Sequence, residues 1–299
     1  MTNTEIADAA TGAPLTVLQE ADWRVVAAAH AADVDELTAA HRGRVGTGQL
    51  HPVHDFLFSY YSLRPAQLRR WYPGIGVGLA GAAERSDWRF HRTTDSVTTV
   101  DRDAMLTDRA DQIHFMARLL AATADRSPQF GCLGLHEWAM VYRQSSGQRR
   151  HTDWPLRLGS QGTDEVVQSH QIRCSHYDAF RFFSGPARPR NLLQPSLPDR
   201  ENLEQPGCLH AGMDLYKWSY KLMPAVPSEL LLDCFRLARD IREVDMRASP
   251  YDLAELGYSP IAIETAAGKT EYIALQRVFA DRGAPLRARL LAVIDRLLG

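Results

Sequence analysis

The chain has 299 residues, of which 45% are hydrophobic and 23% charged, and its formal net charge is −2. A protein of this size and composition can bury a large core, and the near-neutral charge excludes a global basic field that would steer it to nucleic acid. No apolar run reaches the roughly 18–20 residues of a membrane helix, and the N-terminus lacks the basic and apolar regions of a secretory signal. The four cysteines are too sparse for a disulfide framework, so we expect a soluble, cytoplasmic protein with reduced thiols.

Helical periodicity dominates the chain. Residues 1–16 predict a disordered tail, and residues 17–299 predict a single, mainly helical domain with a small antiparallel β element. The predicted helices span 20–41, 56–62, 103–124, 135–142, 164–171, a segment around 214–218 that ends at Pro224, 228–247, 270–281 and 285–298. Residues 184–205 contain four prolines and predict a long irregular connection, and 261–265 predict a strand.

The glycine-rich segment 73–81 contains a GxGxxG pattern. No apolar strand precedes it, which argues against a dinucleotide-binding turn. Its Pro-Gly-Ile-Gly sequence also resembles the hairpin of helix-hairpin-helix DNA glycosylases, and in that alternative Asp95 or Asp101 would be catalytic. Alternating residues at 88–93 and 96–100 favour a small antiparallel meander instead.

The stretch 206–252 carries the densest polar pattern. His210 and Asp214 lie four residues apart, so on a helix their side chains share one face. The helix that follows has a charged stripe opposite its apolar side, formed by Asp233, Asp240, Glu243 and Arg247. Such a stripe is typical of a solvated helix face, and a polar functional site is the alternative.

Three short sequence segments, which we call phrases, share one pattern, in which a cysteine precedes a histidine and an acidic residue. They are Cys132-x3-His136-Glu137, Cys174-x-His176-x-Asp178 and Cys208-x-His210-x3-Asp214. Aromatic and basic residues accompany them, including Trp138, Tyr177, Trp218, Arg143, Arg181 and Arg247. If the phrases converge, they supply carboxylates for acid–base chemistry inside an aromatic pocket. The alternative is a buried network of satisfied core histidines and helix-capping acids.

A metal site is a further alternative for the same residues. His210 and Asp214 at helical spacing would share an ion, and His176, Asp178 or Glu137 would complete the site. The chain contains no HExxH or CxxC motif and no Glu-x-x-His pair, so the sequence predicts no cofactor.

Five phrases together resemble actinobacterial proteins that carry the automatic name 3-methyladenine DNA glycosylase. They are HPVHDFLFSYYSLRPAQLRRW (51–71), LHEWAMVYR (135–143), HYDAFRFF (176–183), QPGCLHAGMDLYKW (205–218) and DMRASPYDL (245–253). The resemblance covers roughly residue 51 to the C-terminus. The family name implies hydrolysis of the N-glycosidic bond of an alkylated purine in DNA.

Such a reaction requires a pocket for a flipped base and a carboxylate that orients water or stabilises positive charge. We predict that Asp214 is this carboxylate, that His210 orients it, and that Glu137 and Asp178 are further catalytic acids. Substrate contacts are predicted for His136, His176, Trp138, Tyr177, Arg143, Arg181, Trp218 and Arg247. Phosphate contacts would come from the arginine-rich segments 64–70, 148–151 and 181–190.

Two other classes of function remain open. One is a metal-dependent hydrolase or oxidoreductase of small-molecule metabolism, and the other is a non-catalytic binding protein whose segment 184–205 covers a ligand. The expected partner is a modified purine in DNA or a nucleoside-like small molecule, without a membrane. The sequence predicts no oligomeric state.

Overall fold

The structure is a computed structural model that describes residues 4–7, 12, 14–48, 50–145, 147 and 154–299. Its helices are α1 (Glu20–Arg44), α2 (Phe56–Ser59), α3 (Pro65–Leu68), α4 (Arg102–Asp125), α5 (Leu135–Val141), α6 (Gly159–Ser169), α7 (Tyr177–Phe180), α8 (Arg200–Leu203), α9 (Leu209–Lys221), α10 (Ser228–Arg247) and α11 (Ala266–Leu298). Its strands are β1 (Thr4–Ala7), β2 (Pro14–Leu18), β3 (Val77–Ala80), β4 (His91–Thr94) and β5 (Val97–Val100). The described residues are therefore mainly helical with a minor β element, as the sequence predicts.

The sheet contains the predicted meander but is mixed rather than antiparallel. Strands β4 and β5 form a hairpin, and β5 pairs antiparallel with β3. Asp95 and Ser96 connect the hairpin with positive φ angles of 48° and 64°, as the central residues of a type I′ turn require. The parallel pairing of β2 with β3 makes the sheet mixed, and its order is β1-β2-β3-β5-β4 among the described strands.

The prediction of a disordered tail over 1–16 is wrong where the structure describes that segment. Strand β1 pairs antiparallel with β2, and β2 extends the sheet alongside β3. Leu15 and Val17 are buried because they alternate along β2 and point toward the core. Two short strands with few apolar residues carry a weak signal, and the pairing with a distant strand decides their conformation.

The core of the helical part is built around α9. This helix packs against α10 and α11, and α11 also packs against α4. Gly212 permits the close approach of α10, because a Cβ atom at this position would lie 2.8 Å from Ile241 Cδ1. The close packing of α9 against α10 brings the polar residues of both helices to one interior region.

The C-terminal residues form one long helix rather than a strand followed by two helices. Buried positions of α11 continue at spacings of three and four through Pro285, at Tyr272, Gln276, Phe279, Gly283, Leu286, Leu290, Val293 and Leu297. A proline in a helix interior costs about 3 kcal/mol. Burial of a continuous apolar face along α11 outweighs this cost, so the helix does not end at Pro285.

Candidate functional site

The three cysteine-histidine-acid phrases converge in the interior. The ring centroids of His136 and His210 lie 4.6 Å apart, and those of His176 and His210 lie 5.3 Å apart. Cys132 and Cys174, from the first two phrases, are close enough that the pKa of Cys132 is lowered and that of Cys174 is raised by their interaction. Consecutive phrases begin more than thirty residues apart along the chain, so their convergence is a property of the tertiary fold.

Three of the converging elements supply what we call the histidine cluster, which consists of His136, His210 and Asp245. Helix α5 carries His136, α9 carries His210 near its first turn, and α10 carries Asp245 near its last turn. All three residues are buried. One potential ligand atom from each lies within 4.8 Å of the others.

The contacts around the histidine cluster orient two of its atoms toward each other. Cys132 Sγ lies 3.7 Å from His136 Nδ1, which leaves Nε2 on the opposite side of the ring. Arg242 Nη1 donates to Asp245 Oδ2 at 3.0 Å, which leaves Oδ1. His136 Nε2 and Asp245 Oδ1 form an ion pair at 2.8 Å that is poorly aligned as a hydrogen bond, and neither atom has another partner among the described residues.

Electrostatics in the cluster follow from burial and from the Asp245 carboxylate. Burial lowers the pKa of His136, but Asp245 and Cys132 outweigh it, so the net pKa is raised well above its usual range. Burial and the neighbouring His136 keep the pKa of His210 well below its usual value. Burial raises the pKa of Asp245, but His136, His210 and Arg242 lower it by more than burial raises it. Asp245 is therefore ionised. The Asp245 carboxylate is thus the negative group of the cluster, and it is balanced by His136 and Arg242.

A second group of buried charges, the Asp214 network, lies beside the histidine cluster. Asp214 accepts hydrogen bonds from Tyr61 Oη at 3.1 Å, Lys217 Nζ at 2.5 Å and Arg200 Nη2 at 3.3 Å. Lys217 also donates to Asp178 at 2.9 Å, and Arg200 donates to Glu204 at 2.6 Å. Burial raises the pKa of Asp214, but Lys217, His176 and Arg200 lower it far below its usual value. The Asp214 carboxylate is thus ionised and fully occupied by partners.

His176 separates the two groups. Its Nε2 atom lies 3.5 Å from carboxylate oxygens of both Glu204 and Asp214, and neither ring nitrogen forms a hydrogen bond among the described residues. The side chain is completely buried. Buried polar atoms without partners are rare, so His176 and the histidine cluster are the places where a ligand is most expected.

A cleft leads from the surface toward the histidine cluster. The cleft has a volume of about 430 Å³ and is lined by Phe56, Tyr60, Tyr61, Asp178, Arg181, Phe182, Lys217 and Tyr220, with Ser59 and Ser62. A smaller inner cavity of about 20 Å³ shares Phe56, Tyr60, Asp178 and Phe182 with it and is also lined by Glu137, Met140, His210 and Arg242. The inner cavity has room for about one water molecule. The cleft therefore connects solvent to His210.

The predicted acids have different surroundings. Asp214 is buried away from the cleft, and Tyr61, Lys217 and Arg200 hold it rather than the predicted His210. Glu137 accepts a hydrogen bond from Arg242 at 2.9 Å and lines the inner cavity. Asp178 lines the cleft. Of the three acids, Glu137 and Asp178 are therefore accessible from the cavities.

Only part of the predicted substrate-binding set borders the cleft. Arg181 lines it and stacks on Phe182, with the guanidinium carbon 4.1 Å from the ring centroid. Trp138 and Trp218 are buried in the core, and the Trp138 indole donates to Ala248 O at 2.8 Å. The remaining three residues lie in other surroundings: Tyr177 begins α7, Arg143 lies over the Tyr142 ring, and Arg247 donates to Ser259 O.

The segments predicted to contact phosphate use many of their arginines within the protein. Arg69 pairs with Asp35 at 3.0 Å, and Arg70 lies over the Trp88 ring. Arg188 and Arg190 donate to the backbone carbonyl groups of residues 181 and 168. The predicted segment 148–151 lies outside the described residues.

Sequence reasoning missed Arg242 and Asp245. It considered only the charged stripe of α10, as a solvated face or alternatively a polar site, and there Asp240 and Asp233 pair with Arg282 and Arg289 of α11 in exposed ion pairs. Arg242 and Asp245 lie instead on the buried side of α10, three residues apart. Two charged residues in phase with the apolar positions of an amphipathic helix are the signal that could have found them.

Comparisons with known proteins identify no family: a scan of family models finds no match, and searches of curated proteins and of solved structures find no significant similarity. None of the helices that the structure describes is long and apolar enough to cross a membrane.

Proposed function

We propose that the protein is a metal-dependent enzyme that acts on a small organic substrate in the cleft. His136, His210 and Asp245 would hold the metal ion. The observation that carries the proposal is the pair of buried atoms His136 Nε2 and Asp245 Oδ1, which lie 2.8 Å apart without a hydrogen-bond partner among the described residues. Burial of unpaired polar atoms is costly, and a bound cation would satisfy both at once.

The geometry supports a transition metal. Ligand atoms about 2.1 Å from one ion are about 3.0–3.4 Å apart at bond angles near 90–109°. The 2.8 Å between His136 and Asp245 therefore needs only a small opening. The contacts of Cys132 with His136 and of Arg242 with Asp245 resemble the outer hydrogen bonds that orient metal ligands.

Two histidines and one carboxylate leave open coordination positions, which is typical of catalytic rather than structural metal sites. Zn²⁺ at such a site would activate water for hydrolysis, whereas Fe²⁺ would support oxidation. Glu137, which lines the inner cavity beside His210, is the acid best placed for proton transfer. The metal found in the protein would decide between hydrolase and oxidoreductase.

Elemental analysis of protein purified without a metal-binding tag tests the proposal. We expect about one Zn²⁺ or Fe²⁺ per chain, and we expect the His210→Ala and Asp245→Asn variants to lose it. His114→Ala is the matched control, because His114 is an exposed histidine of α4. A protein that remains metal-free after incubation with either ion contradicts the proposal; His136 and Asp245 would then form a simple ion pair.

A second candidate is an N-glycosidase that acts on a modified purine, as the family resemblance implies. The aromatic side chains Phe56, Tyr60 and Phe182 that line the cleft favour it, because purines stack on aromatic side chains. Its carboxylate would be Asp178 or Glu137, since Asp214 is buried and fully paired. Release of free base from methylated DNA or nucleosides in the presence of EDTA would support this candidate over the metal-dependent one.

A further inference from the structure

A second large cavity adjoins the cleft and carries an excess of basic groups. We call it the cationic cavity; it has a volume of about 830 Å³. It lies between α4, the end of α9 and the loop before α3, and is lined by Ser62, Leu63, Gln67, Arg89, Thr107, Asp108, Arg109, Ala110, Asp111, Gln112, Tyr220, Lys221 and Met223. Three basic and two acidic residues face it.

The basic groups of the cavity differ in how they are neutralised. Arg89 and Arg109 share one carboxylate, since both contact Asp108 Oδ2, at 2.7 and 3.3 Å. Arg109 also donates to the backbone carbonyl of Lys221 at 3.0 Å, which fixes its position at the end of α9. The Lys221 ammonium has no ion pair within the described part of the chain. Asp111, the other acid of the cavity, is exposed.

Lys221 is surrounded by other cations. Its half-buried position lowers its pKa, and the nearby Lys217, Arg109 and Arg200 lower it further, against the opposing effect of Asp214. An anion bound beside Lys221 would relieve this repulsion. Tyr220 lines the same cavity and accepts hydrogen bonds from Ser62 N and Oγ at 3.4 Å, so its own hydroxyl hydrogen can be donated to an anion.

The cationic cavity lies next to the cleft. Ser62 and Tyr220 border both spaces, and the cleft in turn shares four residues with the inner cavity at His210. A molecule that extends along this path would have one end near the histidine cluster and the other near Lys221.

We propose that the cationic cavity is a subsite for an anionic group, phosphate or carboxylate, at the end of an extended substrate whose other end reacts at the histidine cluster. Lys221 and Arg109 would contact the anion directly, and Tyr220 would donate a hydrogen bond to it. The assignment of this anion to the substrate rests on the proposed function, whereas the anion site itself stands on the cavity alone.

Binding of inorganic pyrophosphate to the full-length protein, measured by calorimetry in EDTA, tests the subsite. We expect Lys221→Met, which keeps the aliphatic stem and removes the charge, to weaken binding by about tenfold or more. Lys269→Met is the matched control, because Lys269 lies on α11 and does not line the cavity. Lys221→Glu should abolish binding.

Equal affinity in the native protein and in Lys221→Met, or no binding by the native protein at millimolar pyrophosphate, overturns the proposal. Competition by duplex DNA that depends on Lys221 would assign the subsite to a nucleic-acid phosphate; its absence would assign the subsite to a small-molecule anion. The His210→Ala variant separates this result from the metal proposal, because it should bind pyrophosphate normally even when it has lost its metal.

Discussion

The histidine cluster and the Asp214 network lie side by side in the same interior, yet their polar groups are paired in opposite ways. Asp214 has hydrogen bonds from three side chains, whereas His136 Nε2 and Asp245 Oδ1 have none among the described residues. A saturated buried ion network holds helices in place, because every member depends on its partners. Unpaired buried atoms are costly unless a ligand satisfies them. We therefore expect the Asp214 network to contribute mainly to stability, and we propose the histidine cluster as the place where a ligand binds.

Removal of the Asp214 charge should have the largest effect on the stability of the protein. Asp214→Asn would leave Lys217 and Arg200 buried with too little negative charge, and loss of one partner of a buried ion pair costs about 3–5 kcal/mol. We expect a decrease of this size in the free energy of urea-induced unfolding. Asp240→Asn, which breaks an exposed ion pair with Arg282, should cost less than about 1 kcal/mol. If the Asp214→Asn protein is as stable as the native protein but inactive, Asp214 is a catalytic residue and this prediction is wrong.

Metal-linked stabilisation should be the next largest effect and should be confined to the histidine cluster. A metal that binds only the folded protein stabilises it by about 2.7 kcal/mol at one hundred times its dissociation constant. We expect Zn²⁺ or Fe²⁺ to raise the free energy of unfolding of the native protein and of His114→Ala by this amount. His210→Ala should show no such increase. If the metal raises the free energy of unfolding of His114→Ala and His210→Ala equally, the metal binds outside the histidine cluster.

A smaller effect is expected at the edge of the Asp214 network. Tyr61→Phe removes one hydrogen bond to Asp214 but leaves Lys217 and Arg200 in contact with the carboxylate. Hydrogen bonds to charged groups contribute about 1.5–3 kcal/mol, and we expect the lower end of this range because two cations remain. Thermal unfolding of Tyr61→Phe should show this loss without any change in metal content. A change in metal content would mean that the two regions are coupled.

The last expected effect appears only on acidification and concerns Asp55, a third buried carboxylate, which pairs with Arg44 and His41. Burial raises the pKa of Asp55, but hydrogen bonds from Arg44, from the His51 backbone N–H and from His41 lower it well below 3.8. A depressed pKa contributes stability above the unfolded-state pKa and loses it as pH falls through the folded-state value. The stability difference between the native protein and Asp55→Asn should therefore be constant above about pH 5 and shrink below pH 3.8. A difference that grows on acidification would contradict this sign.

Local patterns predicted most of the helical elements. The predicted helices at 20–41, 103–124 and 228–247 correspond to α1, α4 and α10 within a few residues. The predictions were wrong where a local sequence pattern and tertiary packing favoured different structures. Pro285 suggested a helix boundary, but the continuous buried face of α11 carries the helix through it.

What the sequence by itself determined is the set of chemical groups and the side of each helix on which they lie. It marked His136, His176 and His210 as a candidate shared site, because each lies in a similar phrase with an acid. Only the tertiary structure decided which partners each carboxylate has. Asp214 accepts hydrogen bonds from Tyr61 and Arg200, which belong to other segments, whereas Asp245 of α10 forms an ion pair with His136 of α5. Helical periodicity reports the orientation of a side chain on its own helix, and pairing depends on the positions of helices relative to one another.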